Sequence, residues 1–387
     1  MDQNLKFLLE KHKFKYDSIL GKGGFGSVYS VYVGNSICAL KVVNIYKNNK
    51  KKEILNKIIK AIENEFTITK VLRSKYCIRT IGIYRDENKL TDTLIYSLIM
   101  EKISYCDLKY FIYYLNYGNC FNINNNDKYF QNKFFNNNLF ILKFFSKQII
   151  QSIDFLYNHN LVHCDIKPEN FLIDNGFILK ISDFSVLKKI EKHKKIKLNS
   201  STWNIKGPEY YTSLKEVDPK NGYKIDIFGF GLLLYYFLFQ EHVLNDDNDK
   251  IFLNDKNNDI KEKNNYLYHK INETINKIRY DRLHYIDNEL KELIISMIHP
   301  DINERLNIRD LINNKWINDD NNIINQIYNI NEGEEMKILF EMKKYKKNTN
   351  DNKSYIKDKI VLIHNGRKRI KNTFKKNHLL KKVNNIY

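Results

Sequence analysis

The stretch LVHCDIKPENFLI, residues 161–173, decides the fold of this chain. It places His163, Asp165 and Asn170 in the order H-x-D-x-x-x-x-N, between apolar flanks that predict short β-strands. Further motifs follow downstream: KISDFS at 180–185, GPE at 207–209, DIFGFG at 226–231 and PDINER at 300–305. These motifs are too numerous and too regularly ordered to occur together by chance.

A glycine-rich stretch lies near the start of the chain. GKGGFGSV, residues 21–28, has the spacing G-x-G-x-x-G-x-V. The G-x-G-x-x-G pattern alone is weak evidence, and a glycine-rich hairpin without a ligand is the alternative interpretation. Because the β-branched and aromatic stretch SVYSVYV follows Gly26, the pattern predicts a strand–loop–strand hairpin that covers nucleotide phosphates.

Lys41 ends the apolar stretch CALK, residues 38–41. Its place after the glycine-rich loop predicts contacts with nucleotide phosphates and with a carboxylate on a helix. Residues 51–73 have helical spacing, so this carboxylate should lie there. Glu65 is the preferred partner because Ile68 and Leu72 follow it at helical spacing, and Glu63 is the rival.

Together these motifs resemble those of the eukaryotic protein kinase family, over residues 12–318, about four-fifths of the chain. The resemblance implies an α+β, bilobal protein kinase fold, with a β-rich N-lobe at 12–102 and a mainly helical C-lobe at 103–318. It implies that ATP and Mg²⁺, with Mn²⁺ as an alternative, bind in the cleft near residue 103. The reaction implied is transfer of the ATP γ-phosphate to Ser and Thr hydroxyls of protein substrates.

The resemblance also assigns catalytic roles. Asp165 accepts the proton of the substrate hydroxyl, and Lys167 contacts the γ-phosphate, as in serine/threonine kinases. Lys41 and Glu65 form the ion pair that fixes the nucleotide. The metal ligands are Asn170 and Asp183.

Nucleotide-binding residues follow from the same resemblance. They are the glycines of the loop, two residues above the adenine, one below it, the gatekeeper with the following hinge, and one residue that reaches the ribose. The loop glycines are Gly21, Gly23 and Gly26. Val28 and Ala39 are expected above the adenine and Leu172 below it. Met100 would be the gatekeeper, with Glu101 and Ile103 in the hinge, Asp107 at the ribose and Lys41 at the phosphates.

Other motif residues have structural roles by resemblance. Asp226 anchors the catalytic loop, and Glu209 and Arg305 form a buried ion pair. Glu169 would favour a basic residue in the substrate, although Tyr236 stands where strongly basophilic relatives carry Glu.

Three motif positions depart from the family pattern. Cys164 replaces the Arg before the catalytic Asp, Ser185 replaces the Gly after Phe184, and Gly207 replaces the Ala before Pro208. None of these changes removes a metal ligand, the base or the phosphate-binding Lys. An active enzyme is therefore favoured over the alternative, a weakly active kinase or pseudokinase scaffold that binds partners through the kinase fold and a basic tail.

The rest of the chain divides by composition. Residues 1–11 are expected to form an N-terminal extension, and the Asn-rich stretches 116–138 and 244–275 are expected to be loop insertions. Residues 319–387 are a basic Asn/Lys-rich extension. The formal charge is +19, of which residues 341–387 contribute +12, from 15 Lys and Arg against three acids.

The basic tail has three interpretations. It is a solvated extension, a region with weak polyanion or membrane-surface contact, or a helix at 334–347 that docks on the C-lobe or resembles a calmodulin-target helix. The sequence contains no dedicated nucleic-acid module. Protein substrates are the partners that the resemblance implies.

The cysteines and the N-terminus suggest a compartment. Five cysteines form no CxxC pair, and the N-terminal residues lack an apolar signal segment. We expect an intracellular, cytoplasmic protein, compatible with nuclear import. The Asn- and Lys-rich composition resembles that of apicomplexan parasites such as malaria parasites.

Overall fold

The computed structural model describes most of residues 2–318. The described ranges are 2–23, 26–47, 52–103, 106–117, 128–174, 178–198, 207–211, 215–239, 241–244, 249, 252–253, 255, 258–280 and 286–318. The extension at 319–387, with its expected helix at 334–347, lies outside them, as does Cys120. The chain forms two compact units, Met1–Ser104 with Lys180–Leu187, and Tyr105–Leu179 with Lys188–Tyr387.

The first unit contains a five-stranded antiparallel sheet with strand order β1-β2-β3-β5-β4. Lys41 lies within β3 rather than at its end, because the apolar alternation continues beyond it through Val42 and Ile45. The strands are β1 (Lys15–Gly23), β2 (Gly26–Val33), β3 (Ser36–Tyr46), β4 (Thr80–Asn88) and β5 (Thr93–Glu101).

Helix α1 (Gln3–His12) packs on one face of this sheet. Leu5, Leu8 and Leu9 lie at i, i+3 and i+4 and form a buried cluster with residues of β2, β3 and β5, including Val31 and Leu40. Residues 1–11, expected to be an extension, therefore supply part of the core of the first unit. Helix α2 (Lys52–Val71) follows β3, close to the helix predicted at 51–73.

The second unit is mainly helical, so the α+β order predicted from the sequence is confirmed. Its helices are α3 (Leu108–Tyr117), α4 (Lys128–Asn158), α5 (Tyr223–Phe239), α6 (Ile260–Tyr280), α7 (Asn288–Met297), α8 (Ile308–Ile312) and α9 (Lys315–Asn318). Short strands connect them: β6 (Cys106–Asp107), β7 (Leu161–Val162), β8 (Phe171–Ile173), β10 (Lys188–Lys189), β11 (Ile196–Lys197) and β12 (Glu216–Val217); β9 (Leu179–Ile181) leads into the first unit.

The two expected loop insertions are partly helical, which corrects that prediction. Helix α4 begins at Lys128, inside the stretch 116–138. Helix α6 begins inside the stretch 244–275 and ends at Tyr280, and its residues Leu267, Ile271, Ile275 and Ile278 form one buried stripe. The Asn and Lys residues around this stripe are consistent with an exposed face. The Asn- and Lys-rich composition therefore predicted a loop where the chain forms an amphipathic helix.

Helix α5 is the buried helix of the second unit. The apolar run at 229–239 lies within it, and Phe228, Phe230 and Leu234 are all at most 2% exposed. Of the residues that the structure describes, only the stretch Pro219–Phe239 is long and apolar enough to cross a membrane. Its window is 67% buried, as is common for a core helix, so it is weak evidence for a membrane span.

Candidate active site

The glycine-rich hairpin joins β1 and β2 in the first unit. Gly26 has φ +140°, and a Cβ built there would lie 2.2 Å from the Val42 carbonyl oxygen, so only glycine fits. A Cβ at Gly21 would meet no atom within 4 Å. Gly23 pairs with Gly26 across the turn, whose tip, residues 24–25, lies outside the described ranges. The hairpin thus leaves its backbone uncovered by side chains at Gly21 and Gly26.

The expected nucleotide residues of the first unit lie on one face of the sheet. Strand alternation puts Val28, Ala39, Lys41 and Met100 on the face opposite to the α1 cluster, since their neighbours Tyr29, Leu40 and Ile99 belong to that cluster. The register sets Val28 opposite Lys41 and Ala39 opposite Met100. The sheet therefore brings these four side chains together.

Lys41 lies at the centre of a buried charge cluster. Its Nζ donates to Glu65 Oε1 at 2.8 Å and to Asp183 Oδ1 at 3.2 Å. Burial tends to lower the pKa of Lys41, but the charges of Glu65 and Asp183 outweigh it, and the pKa is raised. Burial raises the pKa of Glu65, although Lys41 opposes that shift. The cluster thus fixes the Lys41 ammonium between two carboxylates.

Glu63, the rival partner, points elsewhere. Its Oε1 accepts a hydrogen bond from the Tyr96 hydroxyl at 3.0 Å and contacts Arg85 Nη1 at 3.4 Å. Burial and this hydrogen bond raise the pKa of Tyr96 to about 12. The structure thus pairs Glu65, and not Glu63, with Lys41.

Asp183 is held by backbone pairing just before it. The Ile181 N–H donates to the Tyr76 carbonyl at 2.8 Å, and the Ile78 N–H donates to the Ile181 carbonyl at 3.0 Å. Asp183 itself has φ +60°, a left-handed conformation that is rare for residues other than glycine and frequent at functional sites. This geometry directs the carboxylate of Asp183 to Lys41.

The expected hinge also follows the sheet. The Glu101 N–H donates to the Arg79 carbonyl at 3.0 Å, and its carboxylate accepts from the Arg79 N–H at 2.7 Å and from Lys180 Nζ at 2.9 Å. Ile103 follows β5 directly. The ion pair with Lys180 was missed from the sequence, because it joins positions 79 residues apart with no motif to link them.

The catalytic loop belongs to the second unit. Asn170 Nδ2 donates to the Asp165 carbonyl at 2.7 Å and to Asp165 Oδ2 at 2.9 Å. Lys167 Nζ lies 2.7 Å from the same Oδ2. A short turn, Pro168–Asn170, returns Asn170 towards Asp165. The three expected residues of this loop therefore form one cluster, with Asp165 only 7% exposed.

Asp226 fixes the shape of this loop. Its Oδ2 accepts the His163 N–H at 2.7 Å and its Oδ1 accepts the Cys164 N–H at 2.8 Å. Cys164 has φ +65°, and the Tyr210 hydroxyl donates to its carbonyl at 3.4 Å. Because Asp226 stands in the first turn of buried helix α5, the helix holds the strained backbone before Asp165.

The remaining expected residues of the second unit lie on paired strands. Asp107 of β6 is opposite Leu172 of β8. Asp107 Oδ1 accepts the Tyr110 N–H at 2.7 Å and so begins helix α3. Lys109 Nζ donates to Glu169 Oε1 at 2.7 Å, a pair that the sequence did not predict.

Each unit carries part of the donor set that a nucleotide and a divalent cation require. A Cβ built at Gly21 would meet no atom within 4 Å, which leaves room for close approach by phosphates, and Lys41 supplies a positive charge. Asn170 and Asp183 offer the oxygen atoms that Mg²⁺ prefers. Because Nδ2 of Asn170 binds Asp165, a metal contact falls to its Oδ1.

Comparisons with known proteins identify the family of this chain. Residues 14–317 match the model of the protein kinase domain. The chain is 25% identical to a probable serine/threonine-protein kinase of Dictyostelium discoideum, over 76% of this chain and 61% of that protein. It is 25% identical to an Aurora kinase of Eremothecium gossypii, over 81% and 71%, and 24% identical to human testis-specific serine/threonine-protein kinase 4, over 80% and 84%.

The chain spans 61% and 23% of the lengths of two Dictyostelium kinases that it matches. The matched domain nevertheless covers more than three-quarters of this chain and includes every residue of the site. The α+β protein kinase fold is thereby confirmed. The chain belongs to the protein kinase family.

Proposed function

We propose that this chain is an active serine/threonine protein kinase that uses ATP with Mg²⁺, or with Mn²⁺. The observation that carries the proposal is the cluster of Lys41, Glu65 and Asp183, with Lys41 bonded to both carboxylates at 2.8 and 3.2 Å. Lys41 and Glu65 are buried, whereas the Asp183 side chain is 40% exposed and can be reached by a cation. Buried ionisable groups with shifted pKa values occur most often at functional sites, which supports catalysis over a scaffold role.

The residues of this chain divide the work of phosphoryl transfer. Lys41 binds phosphate oxygens, and Glu65 holds Lys41 in place. Asp165 accepts the proton of the substrate hydroxyl, and Lys167, 2.7 Å from its Oδ2, neutralises negative charge beside the reacting group. Asn170 and Asp183 would hold the divalent cation, which neutralises phosphate charge when bound.

Lys167 also supports the choice of Ser and Thr as acceptors. A lysine two residues after the base resembles the serine/threonine kinase pattern, and here it forms an ion pair with that base. Relatives from Dictyostelium and human named serine/threonine-protein kinases agree with this choice.

The test is phosphate transfer from labelled ATP to a generic Ser/Thr protein and to a Tyr copolymer, with Mg²⁺ or Mn²⁺. Wild-type chain should label the Ser/Thr protein, whereas Lys41→Met and Asp165→Asn should lower the rate by at least about 100-fold. Equal labelling by wild type and both variants would reveal a contaminating kinase. If the wild-type chain binds ATP but labels neither substrate, the scaffold alternative is favoured.

The location and further partners are also proposals. We propose an intracellular, cytoplasmic location, which is supported by the buried, reduced state of Cys38 and Cys77. The basic extension would add weak contact with polyanions or membrane surfaces. Removing residues 321–387 should leave kinase activity in place and abolish salt-dependent binding to heparin.

A further inference from the structure

A strongly basic segment follows Asp183 in the chain. Residues 188–197, KKIEKHKKIK, are defined here as the cationic segment; they contain six Lys, one His and one acid, Glu191. Glu191 pairs with Lys194 at 3.3 Å. Five of the six lysines are exposed: Lys189, Lys192, Lys194, Lys195 and Lys197.

The cationic segment is held at both ends. Lys188 and Lys189 form β10, which pairs with Val162 and Leu161 of β7, directly before the catalytic loop. At its other end, Ile196 pairs with Val217 of β12 and is 4% exposed. The segment therefore presents its charges from a backbone that the second unit fixes.

This pairing sets an upper limit on the distance to the base. Lys188 is opposite Val162, with a Cα separation of about 5 Å, and three residues of chain, at most about 10 Å, lead from Val162 to Asp165. An extended peptide covers about 16 Å with five residues. Charges within about five positions of the phosphorylated residue are thus within range of the segment.

Most of these charges have no acidic partner among the described residues. In the part of the chain that the structure describes, no ion pair joins Lys188, Lys189, Lys192 or Lys195 to a carboxylate. Conversely, Glu169, the carboxylate expected to attract basic substrates, binds Lys109 at 2.7 Å. The charge balance beside the catalytic loop is therefore positive.

We propose that the cationic segment selects protein substrates with Asp, Glu or phosphorylated residues within about five positions of the target Ser or Thr. The segment contains no Phe, Tyr or Trp on which bases could stack, which disfavours single-stranded nucleic acid. Ile196 is buried and Ile190 is only partly exposed, so no apolar surface is offered to a membrane. This proposal deepens the proposed kinase function and rests on it.

The test compares two peptides as substrates of the full chain. One carries a single Ser flanked by two Glu on each side, and the other has Gln at those four positions. Wild type should give a kcat/KM about 5- to 20-fold higher for the Glu peptide, through a lower KM, because three or four exposed ion pairs each contribute modestly. The preference should decrease at about 0.5 M salt.

Charge-removing variants locate the effect. Lys189→Gln/Lys192→Gln/Lys195→Gln should reduce the preference to twofold or less, while kcat for the Gln peptide stays unchanged. The matched control, Lys6→Gln/Lys89→Gln/Lys261→Gln, removes three exposed lysines from elements without catalytic residues and should keep the preference.

Peptide binding is measured separately from catalysis. Fluorescent versions of both peptides are titrated with the Asp165→Asn variant of the full chain. Tighter binding of the Glu peptide that is lost in the triple variant would support the proposal, even if phosphorylation failed and the kinase function were wrong. Equal binding of both peptides by wild type would overturn it. A preference for the Glu peptide that survives in the triple variant would also overturn the proposal. So would a triple variant that loses binding to heparin or anionic vesicles but keeps its preference for the Glu peptide.

Discussion

The carboxylate of Glu209 and the guanidinium of Arg305 are joined by two hydrogen bonds, Oε2 to Nη2 at 2.7 Å and Oε1 to Nη1 at 2.9 Å. The Arg305 side chain is fully buried and also lies over the Phe228 ring, 4.4 Å from its centroid. Removing one partner of such a pair leaves a charge in the core without its counterion. The pair is thus a structural requirement of the second unit.

Arg305→Met should lower the free energy of unfolding by about 3–5 kcal/mol, measured by urea denaturation. The exposed pair Lys315–Glu289, at 2.6 Å, offers a matched control, and Lys315→Met should cost less than about 1 kcal/mol. Similar losses for both variants would contradict the importance of burial.

Glu65→Gln should lower kcat/KM by about 100-fold, because Lys41 loses the charge that positions it. Glu63→Gln removes a carboxylate from the same helix that contacts Tyr96 and Arg85 instead, and should change kcat/KM by less than about threefold. Radiometric assays at several ATP concentrations measure both. An equal effect of the two substitutions would argue against the assigned ion pair.

Gly26→Ala should destabilise the first unit by about 1–3 kcal/mol, because its Cβ would collide with the Val42 carbonyl and φ is +140°. Gly21→Ala places its Cβ in open space and should leave the melting temperature unchanged. Differential scanning fluorimetry distinguishes the two. A tolerated Gly26→Ala would show that the hairpin adopts another conformation.

Leu8→Ala should cost about 2–5 kcal/mol, since Leu8 is 0% exposed in the cluster beneath α1. Lys6→Ala, on the exposed face of the same helix, should be nearly neutral. If Leu8→Ala is also neutral by urea denaturation, residues 1–11 are the dispensable extension that the sequence suggested.

Cys77 makes stability depend on alkaline pH. Burial raises the pKa of its thiol from 9.0 to about 12. Between these values the unfolded thiol is ionised while the folded thiol keeps its proton, so stability decreases by about 1.4 kcal/mol per pH unit as pH rises from 9. Between pH 8 and 10, wild type should therefore lose about 1.4 kcal/mol more stability than Cys77→Ala. Parallel losses would contradict a buried neutral thiol.

Much of the site could be predicted from local motifs, whereas the long-range side-chain pairs could not. The spacing of Asp165, Lys167 and Asn170 is short, so one loop brings them together wherever the fold places it. The pairs Lys109–Glu169 and Lys180–Glu101 join positions 60 and 79 residues apart, and no local pattern encodes them.

The fold shows the same division. The β-branched and aromatic stretch after Gly26 predicted strand β2, because such side chains favour a pleated, half-buried surface. Helices α1 and α6 were missed because their apolar stripes are narrow and lie among Lys and Asn. Their spacing was visible in the sequence, but only the packed core shows that these stripes are buried.

The bonds from Asp226 to the two amides before Asp165 have a consequence for measurement. The amide hydrogens of His163 and Cys164 exchange with solvent only when Asp226 separates from them, and Asp226 moves with helix α5. Their exchange rates therefore report the opening of the helical core from inside the catalytic loop. Deuterium uptake at these two positions would monitor the integrity of the loop without any substrate.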